Sequence, residues 1–314
     1  KMNTLTLNFT NNLARTDSLD LTNEILEQFY KQLDTSEATK RTYKKGIKVF
    51  LSWVRERKIT LIDSETIKLF KVWCSYNKST NTTNTYLTSI KALYNYLETK
   101  GFKNIAKTIK KAGTDTKNFS KDSLTREQVK QIVKSIDTST IRGLRDKAIF
   151  LLLVNTGLRT CELVGANISD IGTKDNKSVL YVKGKGRTQK NEFVVLNNSC
   201  INAINDYLIS RKAKAKEPLF TSLSDRNNGD RLTTRSIRNI VKGLYKGVGI
   251  VSDRLTTHST RHTFVTLSLK SGSNLQEVQQ RARHKSINTT LIYAHNLTLT
   301  ESNAEQRLEE YINI

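Results

Sequence analysis

One proline, Pro218, and fourteen glycines are few for 314 residues. Such a chain lacks the turn punctuation that an all-β fold requires. Three cysteines, Cys74, Cys161 and Cys200, are widely spaced and odd in number. They cannot build a disulfide framework or a zinc cluster, and are expected as small buried apolar residues in a reducing cytosol. The longest unbroken apolar run, Ala148 to Val154, is seven residues, where about 20 are needed to cross a bilayer. No signal-like segment opens the chain, so neither a membrane-spanning nor a secreted protein is expected. Acidic residues are scarce as well: 29 Asp and Glu stand against 52 Lys and Arg, a formal net charge of +23. That excess points to a polyanionic partner, with nucleic acid foremost.

At roughly 150 residues per domain the length predicts two domains, each able to bury a core without metals or disulfides. Helical periodicity dominates. Tyr43, Ile47, Phe50, Leu51 and Val54 recur at the spacing of a buried helical stripe, with Lys40, Arg41, Lys44, Lys45 and Lys48 on another face. Ile90, Leu93, Tyr94 and Leu97 repeat the apolar pattern. With helical patterns near 22–34 and 64–77, about four helices are expected before residue 105. Periodicity then fades, and a polar stretch holding Gly113, Thr114, Asp115, Thr116, Asn118 and Ser120 predicts a linker over 106–122. Thr125 with Gln128 forms a capping box, and Leu124 with Val129 a hydrophobic staple, so a second domain opens near Ser123. Within it, Val179–Val182 and Phe193–Leu196 read as a hairpin around a Gly- and Lys-rich turn. Helices are expected near 199–211, 233–247, 260–271 and 274–282. The predicted fold class is mainly α with a small β-sheet, in two domains.

All four histidines, His258, His262, His284 and His295, fall in the last 57 residues. His258 and His284 have no acidic or thiol neighbours in sequence, so no metal is expected. Read with Arg159, Arg261, Lys185 and Tyr293, two of them complete a set suited to metal-free phosphoryl transfer. Planar guanidiniums can hold the non-bridging oxygens of a phosphodiester and stabilise the charge that builds there in the transition state.

These residues lie in motifs. Arg159 sits in Thr156-Gly157-Leu158-Arg159, with Glu162-Leu163 three residues on; Lys185 in Gly184-Lys185-Gly186; His258 and Arg261 in His258-Ser259-Thr260-Arg261-His262-Thr263-Phe264. His284 follows Arg261 by 23 residues and Tyr293 follows His284 by 9. In these motifs and intervals the chain resembles the tyrosine site-specific recombinases, the family of phage integrases, Xer-type recombinases and mobile-element integrases. The resemblance covers nearly the whole chain. It implies a helical core-binding domain over 1–105, a catalytic domain over 123–299, and a C-shaped clamp around duplex DNA carrying inverted-repeat core sites. It also implies Tyr293 as nucleophile forming a 3′-phosphotyrosyl bond, Arg159 and Arg261 on the phosphate, His258 as proton acceptor, Lys185 as proton donor to the departing 5′-oxygen, and His284 on a phosphate oxygen. No cofactor is needed, because the phosphotyrosyl bond retains the energy for ligation.

Glu162 is expected to orient a neighbouring basic group, while His262 and His295 are expected to be structural, His262 pointing elsewhere. DNA contacts are expected from the Lys40–Lys48 face, from Lys91, and from Arg235, Arg238, Asn239 and Lys242 on a basic helix. The last fourteen residues carry net charge −3, with Leu308, Tyr311 and Ile312 at helical spacing. By resemblance, residues 300–314 form a helix exchanged between protomers of a homotetramer on two DNA sites, with accessory DNA-bending proteins as further partners in the bacterial cytoplasm, on the nucleoid. Residues 1–21 are too few for an arm-binding domain, so a simple two-domain enzyme is expected. A type IB topoisomerase and a non-catalytic DNA-binding protein are the alternatives. Two departures stand out: Ala282-Arg283 where the family has Leu-Gly, and Thr260 where it has Leu. Arg283 either makes a strained turn or adds a phosphate contact.

Overall fold

The computed structural model describes residues 6–8, 18–20, 23–113, 122–184, 189–295 and 304–312. The chain forms two compact units, Lys1–Asp115 and Thr116–Ile314. In the first, a short antiparallel pair, β1 (Thr6–Asn8) and β2 (Ser18–Asp20), precedes four helices: α1 (Asn23–Gln32), α2 (Glu37–Glu56), α3 (Ser64–Asn77) and α4 (Thr80–Thr99). Ser36, Asp63 and Ser79 cap α2, α3 and α4 by accepting from the backbone N–H of Thr39, Thr66 and Thr82, each cap contributing about 1 kcal/mol. The expected stripe of α2 faces inward, where Ile47, Phe50 and Val54 meet Ile67, Phe70, Ile90 and Tyr94.

The expected linker starts late. Ala106 and Ile109 are buried in this first core, and the Asn84 amide donates to the Ala112 carbonyl at 3.0 Å while accepting from the Ala112 N–H at 2.8 Å. Residues 105–108 run as turns and 109 is irregular, so the burial there has neither helical nor strand period to betray it. The polar run from Thr114 lies outside the described residues.

In the second unit, α5 (Arg126–Ser135) opens on the expected capping box, Thr125 N–H donating to Gln128 Oε1 at 2.9 Å and Gln128 N–H to Thr125 Oγ1 at 3.1 Å. The apolar run Ala148–Val154 forms the centre of α6 (Ile141–Thr156) and of the core around it. After α7 (Thr160–Gly165) comes an antiparallel sheet in the order β3 (Ile171–Lys174), β4 (Lys177–Val182), β5 (Glu192–Val195). Helices α8 (Asn198–Ser210), α9 (Thr234–Gly247), α10 (Thr257–Lys270), α11 (Leu275–Ala282), α12 (Asn288–His295) and α13 (Ala304–Ile312) follow. The sheet has one strand more than the sequence predicts. Asp175 and Asn176, with φ of 48° and 58°, make the tight turn that pairs β3 with β4, a use of left-handed Asp and Asn that matches strand twist. Among the described residues no helix is long and apolar enough to cross a membrane.

Cysteine placement is a partial correction: Cys74 and Cys200 are buried, whereas Cys161 is exposed. Helix α7 is short and turns Glu162 and Leu163 inward, which leaves the preceding position facing solvent.

Gly157 ends α6 in the left-handed region, with φ of 60°, and a Cβ placed there would lie 2.6 Å from Phe264 Cδ1. Both features require glycine. Gly157→Ala is expected to destabilise the second unit by roughly 1–3 kcal/mol, read as a lower urea midpoint. An unchanged midpoint would show that the ring and backbone yield freely.

Candidate active site

Helix α10 is buried almost all round. Thr257, Ser259, Thr260, Arg261, His262, Thr263, Phe264 and Val265 are all inside, so its polar side chains need partners within the protein. Thr260 Oγ1 donates to the Thr257 carbonyl at 2.8 Å, and Thr263 Oγ1 to the Ser259 carbonyl at 2.8 Å while accepting from the Leu124 N–H at 2.8 Å. The departure at Thr260 is thus satisfied within its own helix.

Arg261, 3% exposed, reaches across two segments. Its Nη1 donates to the Gly157 carbonyl at 2.6 Å, and its Nη2 donates to the Ala282 carbonyl. Arg159 is the first-turn flank of α7. Glu162, its side chain fully buried, accepts from the Arg159 N–H at 2.8 Å and from Arg159 Nη1 at 2.7 Å. Glu162 therefore orients a basic group as the sequence suggests, and it holds a second one: Arg283 Nη2 donates to Glu162 Oε2 at 2.6 Å. Arg283 also lies 3.5 Å from Glu192 on β5, and its carbonyl accepts from Arg159 Nη2 at 3.4 Å. Burial pushes the Glu162 carboxyl up, but Arg283 and the bonds from Arg159 outweigh it and hold the group below its ordinary range. Burial, then Arg159 and Arg283, pull Arg261 down to about 10, which leaves it charged at neutral pH.

Arg283 settles the question raised by its departure from the family pattern. It makes the turn after α11 with φ of 54° and ψ of 46°, the left-handed geometry in which glycine is usual. Its side chain is turned inward to Glu162.

Tyr293 on α12 is 5% exposed, and its hydroxyl lies 2.7 Å from His262 Nδ1. His262 was expected to point elsewhere; that expectation fails for a helical reason. His258 and His262 are four residues apart, hence on one face of α10, and their rings meet edge to face at 4.8 Å. His258 is the exposed member of the pair and His262 the buried one, against the phenol. His284 stacks on the Tyr293 ring at 6.3 Å and is oriented by Thr290, whose Oγ1 lies 2.9 Å from His284 Nδ1. Burial pushes Tyr293 up to about 12, against the attraction of Arg261. Burial also pulls His262 and His284 down to about 4, helped for His262 by His258 and Arg261 and for His284 chiefly by Arg261 and Arg159. At neutral pH the site holds a neutral phenol and neutral imidazoles beside fixed guanidiniums.

Five of the predicted residues, Arg159, His258, Arg261, His284 and Tyr293, thus come together. Lys185 lies outside the described residues, and nothing beyond the backbone of His295 is described. Among the described residues no group of acidic, His or Cys side chains could hold a metal. The other predicted contacts lie elsewhere. On α2, Arg41, Lys45 and Lys48 are exposed, while Lys40 pairs with Glu37 at 3.1 Å and Lys44 with Glu27 at 3.0 Å. Lys91 on α4 is half-buried. On α9, Arg235, Arg238, Asn239 and Lys242 are exposed opposite buried Ile237, Val241 and Tyr245.

Residues 122–299 match the model of the Phage integrase family, and residues 26–101 that of the phage integrase N-terminal SAM-like domain. The chain belongs to the phage integrase family. It is similar to the tyrosine recombinase XerC of Caldanaerobacter subterraneus subsp. tengcongensis, 31% identical over 308 residues covering 86% of this chain and 82% of that one. It is similar also to the tyrosine recombinase XerD of Listeria monocytogenes serotype 4b, 26% identical over 283 residues, 88% of this chain and 94% of the relative. The fold is shared with the XerH site-specific recombinase in a post-cleavage complex with a palindromic difH substrate, at a TM-score of 0.69 and 22% identity, over 92% of this chain and 83% of that one. The Tn1549 transposon integrase, in complex with transposon right-end DNA, shares it at a TM-score of 0.66 and 17% identity, over 90% and 98%. The chain is accordingly a tyrosine recombinase, an enzyme of site-specific DNA strand breakage and rejoining. These likenesses lend the topoisomerase alternative no support.

The bridge made by Arg283 carries a prediction. Arg283→Gly relieves a left-handed non-glycine residue, about 1 kcal/mol, but strips the buried Glu162 of one of its two cations, a larger loss. The variant is expected to be less stable by roughly 1–3 kcal/mol in urea unfolding. A gain of stability instead would show that the bridge contributes little.

Proposed function

We propose that this recombinase acts on duplex DNA through Tyr293. The phenol oxygen bonds to the scissile phosphorus as the bond to the 5′-oxygen breaks, giving a 3′-phosphotyrosyl link and a free 5′-hydroxyl. The phenol's proton passes to an imidazole, and the 5′-oxygen takes one from Lys185. Arg159 and Arg261 hold the non-bridging oxygens, where added charge makes fixed donors most effective. His284 adds a hydrogen bond to the same phosphate. Exposed His258 is open to the arriving DNA. Attack by a 5′-hydroxyl from a second site reverses the step, passing through a Holliday junction, with no cofactor. The observation that carries this reading is the placement of a buried phenol, at 2.7 Å from an imidazole, beside Arg261.

The two units are proposed to grip the duplex from both sides at inverted-repeat sites, the first through Arg41, Lys45, Lys48 and Lys91, the second through α9. Lys40 and Lys44 join them by exchanging exposed carboxylates for phosphates, since surface pairs of this kind are weak. Such contacts make binding strongly salt-dependent. Replacement of Tyr293 by Phe is expected to leave DNA retention intact and abolish covalent adducts, assayed on a random duplex library by denaturing gel. Sequencing the DNA trapped on the wild-type chain then reads out the site. Adducts that persist in the Phe variant would refute the nucleophile.

Helix α13 exposes Leu308, Tyr311 and Ile312 at 60, 84 and 50%, an apolar face for which a neighbouring protomer is the natural cover. A cavity of about 420 Å³ in the catalytic unit, with Phe193, Val195 and Phe264 among its lining, supplies apolar walls for that face. We place α13 of one protomer there in the next, closing a tetramer on two DNA sites. Deleting residues 300–314 should abolish tetramer assembly on the trapped sequence, measured by mass photometry, while retaining single-site binding; intact tetramers would rule out the exchange.

A further inference from the structure

The mechanism leaves open which imidazole receives the phenol's proton, and the geometry of α10 answers it. We propose that His262, rather than His258, is the proton acceptor for Tyr293. This inference rests on Tyr293 being the nucleophile.

The Tyr293 hydroxyl lies 2.7 Å from His262 Nδ1, within the reach a general base requires. With the ring proton on Nε2, Nδ1 accepts the phenol hydrogen directly. His258 touches His262 through an edge-to-face ring contact at 4.8 Å and occupies the solvent side of the pair. His262 is 7% and Tyr293 5% exposed, so bulk water is a poor competitor for the proton, and the acceptor must come from the protein.

Among the described residues, His262 is faced by His258 and Arg261 on its own helix, by Tyr293 on α12, and by His284 in the turn before α12, none of them acidic. Burial, helped by His258 and Arg261, keeps His262 neutral and able to accept. It is a weak base in the free protein, chiefly through burial, with His258 and Arg261 adding to the effect; a phosphodiester held beside Arg261 offsets that guanidinium's field and raises the affinity of His262 for a proton. The step balances. The Tyr293 oxygen gains phosphorus, the 5′-oxygen leaves with a proton from its own donor, and His262 becomes an imidazolium that returns its proton to the phenol when the strand is rejoined. Base strength thus arrives with the substrate.

The test measures adduct formation on a nicked duplex carrying the sequence trapped by the wild-type chain. His262→Ala and His262→Gln are expected to slow it by about 10²–10⁴-fold. In both variants the rate should climb tenfold per pH unit from 7 to 9, because phenolate must then form unaided, whereas the wild-type rate stays level. Added imidazole should restore part of the rate to His262→Ala, which a folding defect would not permit. His258→Ala should be slower than wild type with a level profile and no rescue. The proposal is overturned if the His262 variants cleave at the wild-type rate, if they cleave faster, which would make the contact a resting clasp on the tyrosine, or if the slope and rescue belong to His258→Ala. It is overturned equally if His262→Ala binds the duplex yet gains nothing from imidazole. Failure of the underlying reading looks different, since adducts would then form with Tyr293→Phe.

Discussion

One buried carboxylate organises the positive end of this site. Three guanidiniums, from Arg159, Arg261 and Arg283, converge on a small volume, and like charges at such range repel strongly in a medium poorer than water at screening. Glu162 stands between two of them, each oxygen taken by an arginine, with the Arg159 backbone N–H as a further donor. Its ionisation is held by those partners against the penalty of burial. Without it, Arg159 would be driven outward and Arg283 left buried with only the longer contact to Glu192. The same carboxylate ties the start of α7 to the turn after α11, two segments more than a hundred residues apart in sequence.

Carbonyl oxygens do the remaining work. Arg261 is fixed by the carbonyls of Gly157 and Ala282, both at helix ends. The last carbonyls of a helix have no partners within it, and cations are favoured there by its dipole. Two helix termini therefore act as sockets for one buried cation. This explains why the glycine two residues before Arg159 matters: it turns the chain sharply at the end of α6 and directs its carbonyl at Arg261.

Much of this was legible in the sequence, and the omissions have physical causes. Periodicity located α1–α4 and α8–α11, and the capping box at Thr125 and Gln128 announces α5 and closes as read; α6, whose apolar run is continuous rather than periodic, escapes it. Strand β3 escaped because Ile171-Gly172-Thr173-Lys174 has neither a run of β-branched residues nor clean alternation; Asp175-Asn176 was the available signal. The packing of residues 106–112 on the first unit has no period at all. Arg159, Arg261, His258, His284 and Tyr293 were identified by resemblance, from motifs scattered over 135 residues of chain. Adjacency to Arg261 makes His262 look as if it should point elsewhere, but its spacing from His258 governs where its ring lies. On a helix a neighbour in sequence lies about 100° away, while a residue four along shares the face. Arg283 could not be placed from sequence, because its partners Glu162 and Glu192 are brought to it only by the fold.

The net positive charge acts at two ranges. Spread over both units it suits a polyanion, but beside Tyr293 it has a local effect of opposite chemical sense. Burial depresses the imidazoles and the guanidiniums that suit a phosphate add to it, so His262 and His284 stay unprotonated at neutral pH. A site built only of cations would bind DNA and have nothing to receive a proton. Burial supplies what charge cannot: it removes the water that would compete for the phenol and keeps the phenol protonated until a phosphate is present. An anion entering this cluster weakens the field on the imidazoles at the moment a base is required. Coupling of this kind needs no moving part, only fixed arginines, a buried carboxylate that prevents their mutual repulsion from scattering them, and a histidine one helical turn behind the one that faces solvent.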